Sequence, residues 1–275
     1  MENKRPLKTI YTCFPGGKHK VLTMSYDDGR EFDRRLISIF NKYGIKGTFH
    51  LNSGLMDVDE TRIQLNEVKE LYKGHEVSCH TLTHPTIERC PLSQVVQQII
   101  EDRKRLEDAC GYPVRGLSYP NGSYSKDIIN LLPACGIEYS RVVGSTDDFK
   151  FPDNFLEWKS TCHHNHNLME NAQRFADLHK TQYLYMMYVW GHSYEFDLGE
   201  GGNSFEAIEE FCKFIGGRDD IWYATNIEIV DYMNAAKNLK FTVKGDKVYN
   251  PNACSVWLEV DRQHIEVRGG ETVEL

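Results

Sequence analysis

The chain has 275 residues, 40% of them hydrophobic, and a formal net charge of -8, which gives enough apolar material for one large α/β domain or two small ones. The acidic balance, with no run of Lys and Arg, argues against nucleic acid or an anionic membrane as a partner. No segment approaches the roughly 20 apolar residues that cross a bilayer, residues 1–20 carry no signal-peptide pattern, and the eight cysteines include no C-x-x-C pair, so the expectation is a cytoplasmic protein with reduced thiols.

From about residue 20 to 240, short β-branched or aromatic runs alternate with helical patterns, as repeated βα units on a parallel sheet do. Strands are predicted over 21–26, 47–51, 76–79, 116–119, 138–143, 158–162, 183–190 and 221–224. The clearest helix covers 91–110, where Val95, Ile99 and Leu106 share a face and Gly111 supplies a stop. Seven or eight such units fit a distorted (β/α)7-8 barrel, and barrels carry their functional groups at the carboxyl ends of strands. Beyond about residue 239 the alternating segments 256–260 and 264–267 predict a hairpin-like β appendage. The expected organisation is a barrel over 1–240 with residues 241–275 packed on it.

Two predicted strand ends carry the chemistry. The first reads Ser25-Tyr26-Asp27-Asp28-Gly29 and the second His80-Thr81-Leu82-Thr83-His84. Two imidazoles and a carboxylate hold a zinc ion while leaving positions open for water and substrate, and a second aspartate is then free for proton transfer. Neighbouring side chains on a strand face opposite ways, so Asp27 and Asp28 can share one site only where the pleat ends, and Gly29 permits that turn. Pro85 and the strand-like 76–79 put the histidine pair on a loop. A further cluster, His163-His164-Asn165-His166, reads either as a solvated, helix-capping loop or as a substrate contact or second metal position. His163 or His164 as a substrate-pocket residue is favoured over a second ion.

Together these motifs resemble the polysaccharide deacetylases with a NodB-homology domain, also called carbohydrate esterase family 4, over about residues 20–225. Ser25-Tyr26-Asp27-Asp28-Gly29 looks like a close variant of that family's first motif, T-F-D-D-G, and 80–84 matches its second, H-[ST]-x-x-H. The resemblance implies Asp27 as general base and Asp28, His80 and His84 as ligands of one divalent ion, zinc first. The segment Leu117-Ser118-Tyr119-Pro120-Asn121-Gly122 stands at the third motif, R-P-P-Y-G, and implies the Asn121 backbone N–H as oxyanion donor. Ser118 occupies the place of the arginine that holds the base, and Arg115 would face the opposite side of the strand. Met187 to His192 looks like the last motif and implies His192 as general acid, with Glu195 nearby to tune it or to bind sugar hydroxyls. The acidic partner motif D-x-x-D-W has no match, since Asp147, Asp148, Asp153 and Trp158 have the wrong spacing. Tyr119, Trp190 and Glu195 join His163 and His164 as substrate-pocket candidates. The implied activity is metal-dependent removal of acetyl groups from an acetylated carbohydrate, N-acetylated amino sugars first. O-acetyl ester hydrolysis and catalytically weak glycan binding are the alternatives.

Overall fold

The computed structural model describes residues 7–199 and 203–275. The chain opens with β1 (Ile10–Cys13), then β2 (Lys20–Asp27), β3 (Gly47–Leu51), β4 (Glu76–Cys79), β5 (Gly116–Ser118), β6 (Tyr139–Ser145), β7 (Trp158–Ser160), β8 (Cys162–His163), β9 (Tyr185–His192) and β10 (Ile221–Tyr223). Strands β2 to β10 form one parallel sheet in the order β7-β6-β5-β4-β3-β2-β9-β8, with β10 paired to the first half of β2. β7 and β8 are one stretch of chain interrupted at Thr161. Its first half pairs with β6 and its second with β9, so it joins the two ends of the sheet and closes a distorted barrel.

Every residue of β2 is buried, so both faces of this strand are covered. Leu22, Met24 and Tyr26 belong to the main apolar core, as do Phe49, Val77 and Leu117 on the next strands. The alternate residues build a polar lumen. The Thr23 hydroxyl donates to Asn226 Oδ1 at 2.8 Å, Ser25 Oγ lies 2.9 Å from His50 Nε2, and Glu76 accepts from Tyr139 at 2.6 Å and from Thr48 at 3.0 Å. Buried polar atoms need such partners, and Gly116 leaves room for one of them. A Cβ at Gly116 would sit 2.2 Å from the Tyr139 hydroxyl.

The predicted helix forms over Leu92–Cys110 and ends on Gly111 in left-handed backbone. Its buried stripe is Val95, Ile99, Asp102, Leu106 and Cys110, apolar except for the Asp102 carboxylate. At the carboxyl end of the chain, strands β11 (Lys240–Phe241), β12 (Lys247–Tyr249) and β15 (Thr272–Glu274) form one small sheet. β13 (Val256–Val260) and β14 (Gln263–Val267) form a hairpin that β1 completes as a third strand. Val256, Leu258 and Val267 of this region share a second apolar cluster with Phe14, Trp158, Tyr188 and Ile229. Among the described residues no helix is long and apolar enough to cross a membrane, and all eight cysteines are free.

Candidate active site and metal centre

Asp27 ends β2 with its backbone registered beside His50 of β3 and His192 of β9. Its Oδ2 accepts from Ser118 Oγ at 3.1 Å and from Arg141 Nη2, and the same guanidinium donates to Ser118 Oγ. Arg141 is buried on β6, with its guanidinium carbon 4.1 Å from the centre of the Trp190 ring. Burial alone would raise the Asp27 carboxyl. Arg141, helped by His80, His50 and His192, outweighs it and holds the group well below the usual carboxylate range. The other oxygen, Oδ1, is buried without a protein partner.

Asp28 follows in left-handed backbone (φ 82), as do Gly29 (φ 61), Thr81 (φ 66), His84 (φ 57) and Asn121 (φ 56). For the β-branched Thr81 this is an outlier, held by the surrounding contacts. Asn52 donates to the carbonyls of His80 at 2.6 Å and Thr81 at 3.0 Å, and accepts from Arg62 at 3.2 Å. Arg62 also donates to the Asp28 carbonyl. These two side chains tie the first motif to the second. Asp102 adds a further brace, accepting from Ser53 Oγ at 2.6 Å and from the His80 backbone N–H at 3.1 Å.

This bracing brings Asp28, His80 and His84 together with one donor atom each, all within 4.8 Å of one another. His84 Nε2 lies 3.9 Å from Asp28 Oδ1. His80 Nδ1 lies 2.8 Å from the Ser118 carbonyl, which can only accept, so the proton sits on Nδ1 and the Nε2 lone pair is free. Burial lowers His80 to about 4 and keeps it in the neutral, ligating form. Donor chemistry, tautomer and spacing therefore fit a divalent ion such as zinc.

On the facing strand end, His192 Nδ1 lies 3.2 Å from Glu195 Oε1, and the His192 backbone N–H donates to Glu195 Oε2 at 3.1 Å. Glu195 Oε2 is also 3.3 Å from His163 Nε2 and 3.0 Å from His164 Nε2. Burial would raise Glu195, but the three imidazoles outweigh it and hold the carboxylate far below its usual range. Burial likewise works against a charged His192, and its contact with Glu195 reverses the balance and raises it.

Two candidates for substrate contact are corrected by their surroundings. The His164 side chain has no exposed surface. It is stacked between Tyr26 at 5.7 Å and Phe196 at 4.3 Å, so it supports Glu195 from inside the protein. The Tyr119 side chain is also buried, donating to the Leu156 carbonyl at 2.9 Å and stacking on Tyr124 at 4.8 Å. Trp190 backs Arg141 and meets the His163 ring edge-on at 4.6 Å, while the His163 side chain keeps 13% exposure. Asn121 lies on an exposed turn, where its amide donates to Thr86 Oγ1 at 3.2 Å, close in sequence to His84.

Sequence reasoning missed Arg141, Asn52, Arg62 and Asp102. The signal for Arg141 was a charged residue within a predicted buried strand, two positions after Tyr139 and so on the same face.

Residues 15–140 match the family model described as Polysaccharide deacetylase. The chitooligosaccharide deacetylase of Sinorhizobium fredii is 27% identical over 134 residues, which cover 48% of this chain and 60% of that protein. The chain thus spans less than two thirds of that relative's length. Among solved structures, the Xyl-CE4 domain of a multidomain xylanase from the hindgut metagenome of Trinervitermes trinervoides gives a TM-score of 0.55 at 12% identity, covering 82% of this chain and 96% of that one. A CE4 family pseudoenzyme from Bacillus anthracis gives 0.51 at 17% identity, over 80% and 68%. At these identities the likeness is one of fold. Through residues 15–140 the chain is similar to the polysaccharide deacetylase family.

Proposed function

We propose that this chain is a metal-dependent hydrolase of the polysaccharide deacetylase family that removes acetyl groups from the nitrogen of N-acetylated amino sugars, in free or oligomeric form. One observation carries the reading. Asp28, His80 and His84 offer three converging donors, and beside them Asp27 is fixed by one oxygen and free at the other.

Asp28, His80 and His84 would hold the ion, and when bound it supplies Lewis acidity toward the acetyl carbonyl and toward water. Asp27 Oδ1 takes the proton from the attacking water, while Arg141 and Ser118 keep Oδ2 in place. The Asn121 backbone N–H donates to the oxygen that gains charge as water adds to the acetyl carbon. His192, whose charged form Glu195 favours, donates to the departing nitrogen. The C–N bond breaks, and acetate and the free amine leave.

Ser118 at the place of the family's arginine favours a silent, glycan-binding member, and the Arg141 contact answers that objection. Asp27 has a guanidinium partner, delivered from another strand. Likewise Glu195 is a carboxylate partner for His192 where D-x-x-D-W is missing.

The test is acetate release from N-acetylated chito-oligosaccharides and from O-acetylated xylo-oligosaccharides, with zinc-loaded protein and Asp27→Asn as control. Release from the first panel alone supports N-deacetylation, and release from the second alone moves the substrate to esters. Binding without acetate from either panel overturns the enzymatic reading.

A further inference from the structure

A second cluster of metal-ligating side chains lies away from the strand ends used above. Cys13 ends β1, His19 immediately precedes β2, and Glu259 and His264 face each other across the β13–β14 hairpin. His19 and Asp27 flank opposite ends of β2, a strand roughly 25 Å long at its rise per residue.

We propose that Cys13, His19, Glu259 and His264 form a structural zinc site that staples the start of the chain to its carboxyl-terminal hairpin. Cys13 Sγ lies 3.7 Å from His19 Nε2, His19 Nε2 lies 3.5 Å from Glu259 Oε2, and His264 Nε2 lies 3.6 Å from the same oxygen. Donor atoms of Cys13, Glu259 and His264 all fall within 4.8 Å of one another. The histidine–glutamate separations are long for hydrogen bonds. Tetrahedral zinc, with bonds of about 2.0–2.3 Å, sets its donors roughly 3.3–3.6 Å apart.

The fold prepares this convergence. Cys13 is registered opposite Trp257, two residues from Glu259, so the thiol and the carboxylate share a face of the three-stranded sheet. His264 is seated on Gly17, where a Cβ would come within 2.3 Å of its Nδ1. Gly17 adopts φ 78, which also favours glycine. The Cys13 residue has no exposed surface, and the side chains of His19 and Glu259 keep only 12% and 14%. The His264 side chain, at 43%, leaves an entry path. A thiolate with two imidazoles and one carboxylate selects zinc over magnesium or calcium. The ion would close a loop of about 240 residues, so its binding would stabilise the folded chain directly.

Cobalt(II) loading of the full chain tests the site. A thiolate-to-cobalt charge-transfer band in the near ultraviolet is expected, which Asp28, His80 and His84 have no sulfur to produce. Elemental analysis of the zinc form should find two equivalents per chain. Cys13→Ser should lose the band and one equivalent. His264→Ala, a change at an exposed position, should lose one equivalent and lower the Tm, and it serves as the test if Cys13→Ser does not fold. Asp28→Ala should lose the other equivalent and keep the band, so failure of this site is distinguishable from failure of the proposed active site. Absence of the band from the parent protein, or its persistence in Cys13→Ser, would overturn the proposal, as would an unchanged metal content in His264→Ala.

Discussion

Arg141 Nη2 donates to Asp27 Oδ2 from β6, one strand beyond the β5 residue, Ser118, that donates to the same oxygen. Removing the guanidinium leaves Asp27 buried with its charge unanswered. Burial, the largest influence on this carboxyl, would then raise it. We expect Arg141→Leu to destabilise the protein by about 3–5 kcal/mol. It should also move the acid limb of the pH–rate profile to higher pH, because the base loses its ionised form earlier. A profile with an unmoved acid limb would show that Arg141 does not govern Asp27.

The two adjacent aspartates should separate cleanly. Asp27→Asn is expected to keep the metal and to lose roughly 10²–10⁴-fold in kcat, the span of a general base. Asp28→Ala and His80→Ala should bind the metal poorly, and chelation of the parent protein should reproduce their inactivity. Elemental analysis alongside acetate release checks both claims. A fully active Asp27→Asn protein would remove the base assignment.

Glu195 raises His192, and Glu195→Gln withdraws the charge that does so. His192 should then lose its proton at lower pH, moving the alkaline limb of the kcat profile downward and reducing turnover of amide substrates at neutral pH by roughly 10–10²-fold. Ester substrates, with a better leaving group, should suffer less. Equal losses on both substrates, with the limb unmoved, would argue for a merely structural Glu195.

Deep in the lumen, burial pushes Glu76 up to about 7 from its ordinary 4.5. A carboxyl raised in the folded state contributes stability that is complete below its unfolded value and is lost as pH rises through the folded one. Stability should therefore decline between about pH 4.5 and 7. Asp33 and Asp102, also pushed up to about 7 by burial, add to the slope. Glu76→Gln can keep a partner for Tyr139, whose hydroxyl accepts as well as donates. Denaturant titrations across that range should show a shallower decline for the variant, by on the order of 2–3 kcal/mol.

The central strands β2 to β5 were legible as short runs in which every residue is buried. The predicted 47–51 and 76–79 coincide with β3 and β4. The helix over 92–110 announced itself through its stripe, although Asp102 within that stripe gave no local hint that it would reach the His80 backbone. The convergence of Asp28, His80 and His84 was legible because each motif is contiguous. Arg141 was not, since its role depends on which strand lies beside β5, and a single strand's pattern does not encode its neighbour. For the same reason nothing local foretold that β1 would pair with β13, some 245 residues later. His164 shows the opposite difficulty. Its position after a strand suggested an open pocket, whereas Tyr26 and Phe196 enclose it.

The clasp of the ring and the prop behind His192 are one piece of polypeptide. Trp158–Ser160 fastens to β6 and Cys162–His163 to β9, and the imidazole that ends this seam rests against Glu195. Loosening the circumference at Thr161 would slacken the support behind His192 in the same movement, so integrity of the hoop is felt at that imidazole.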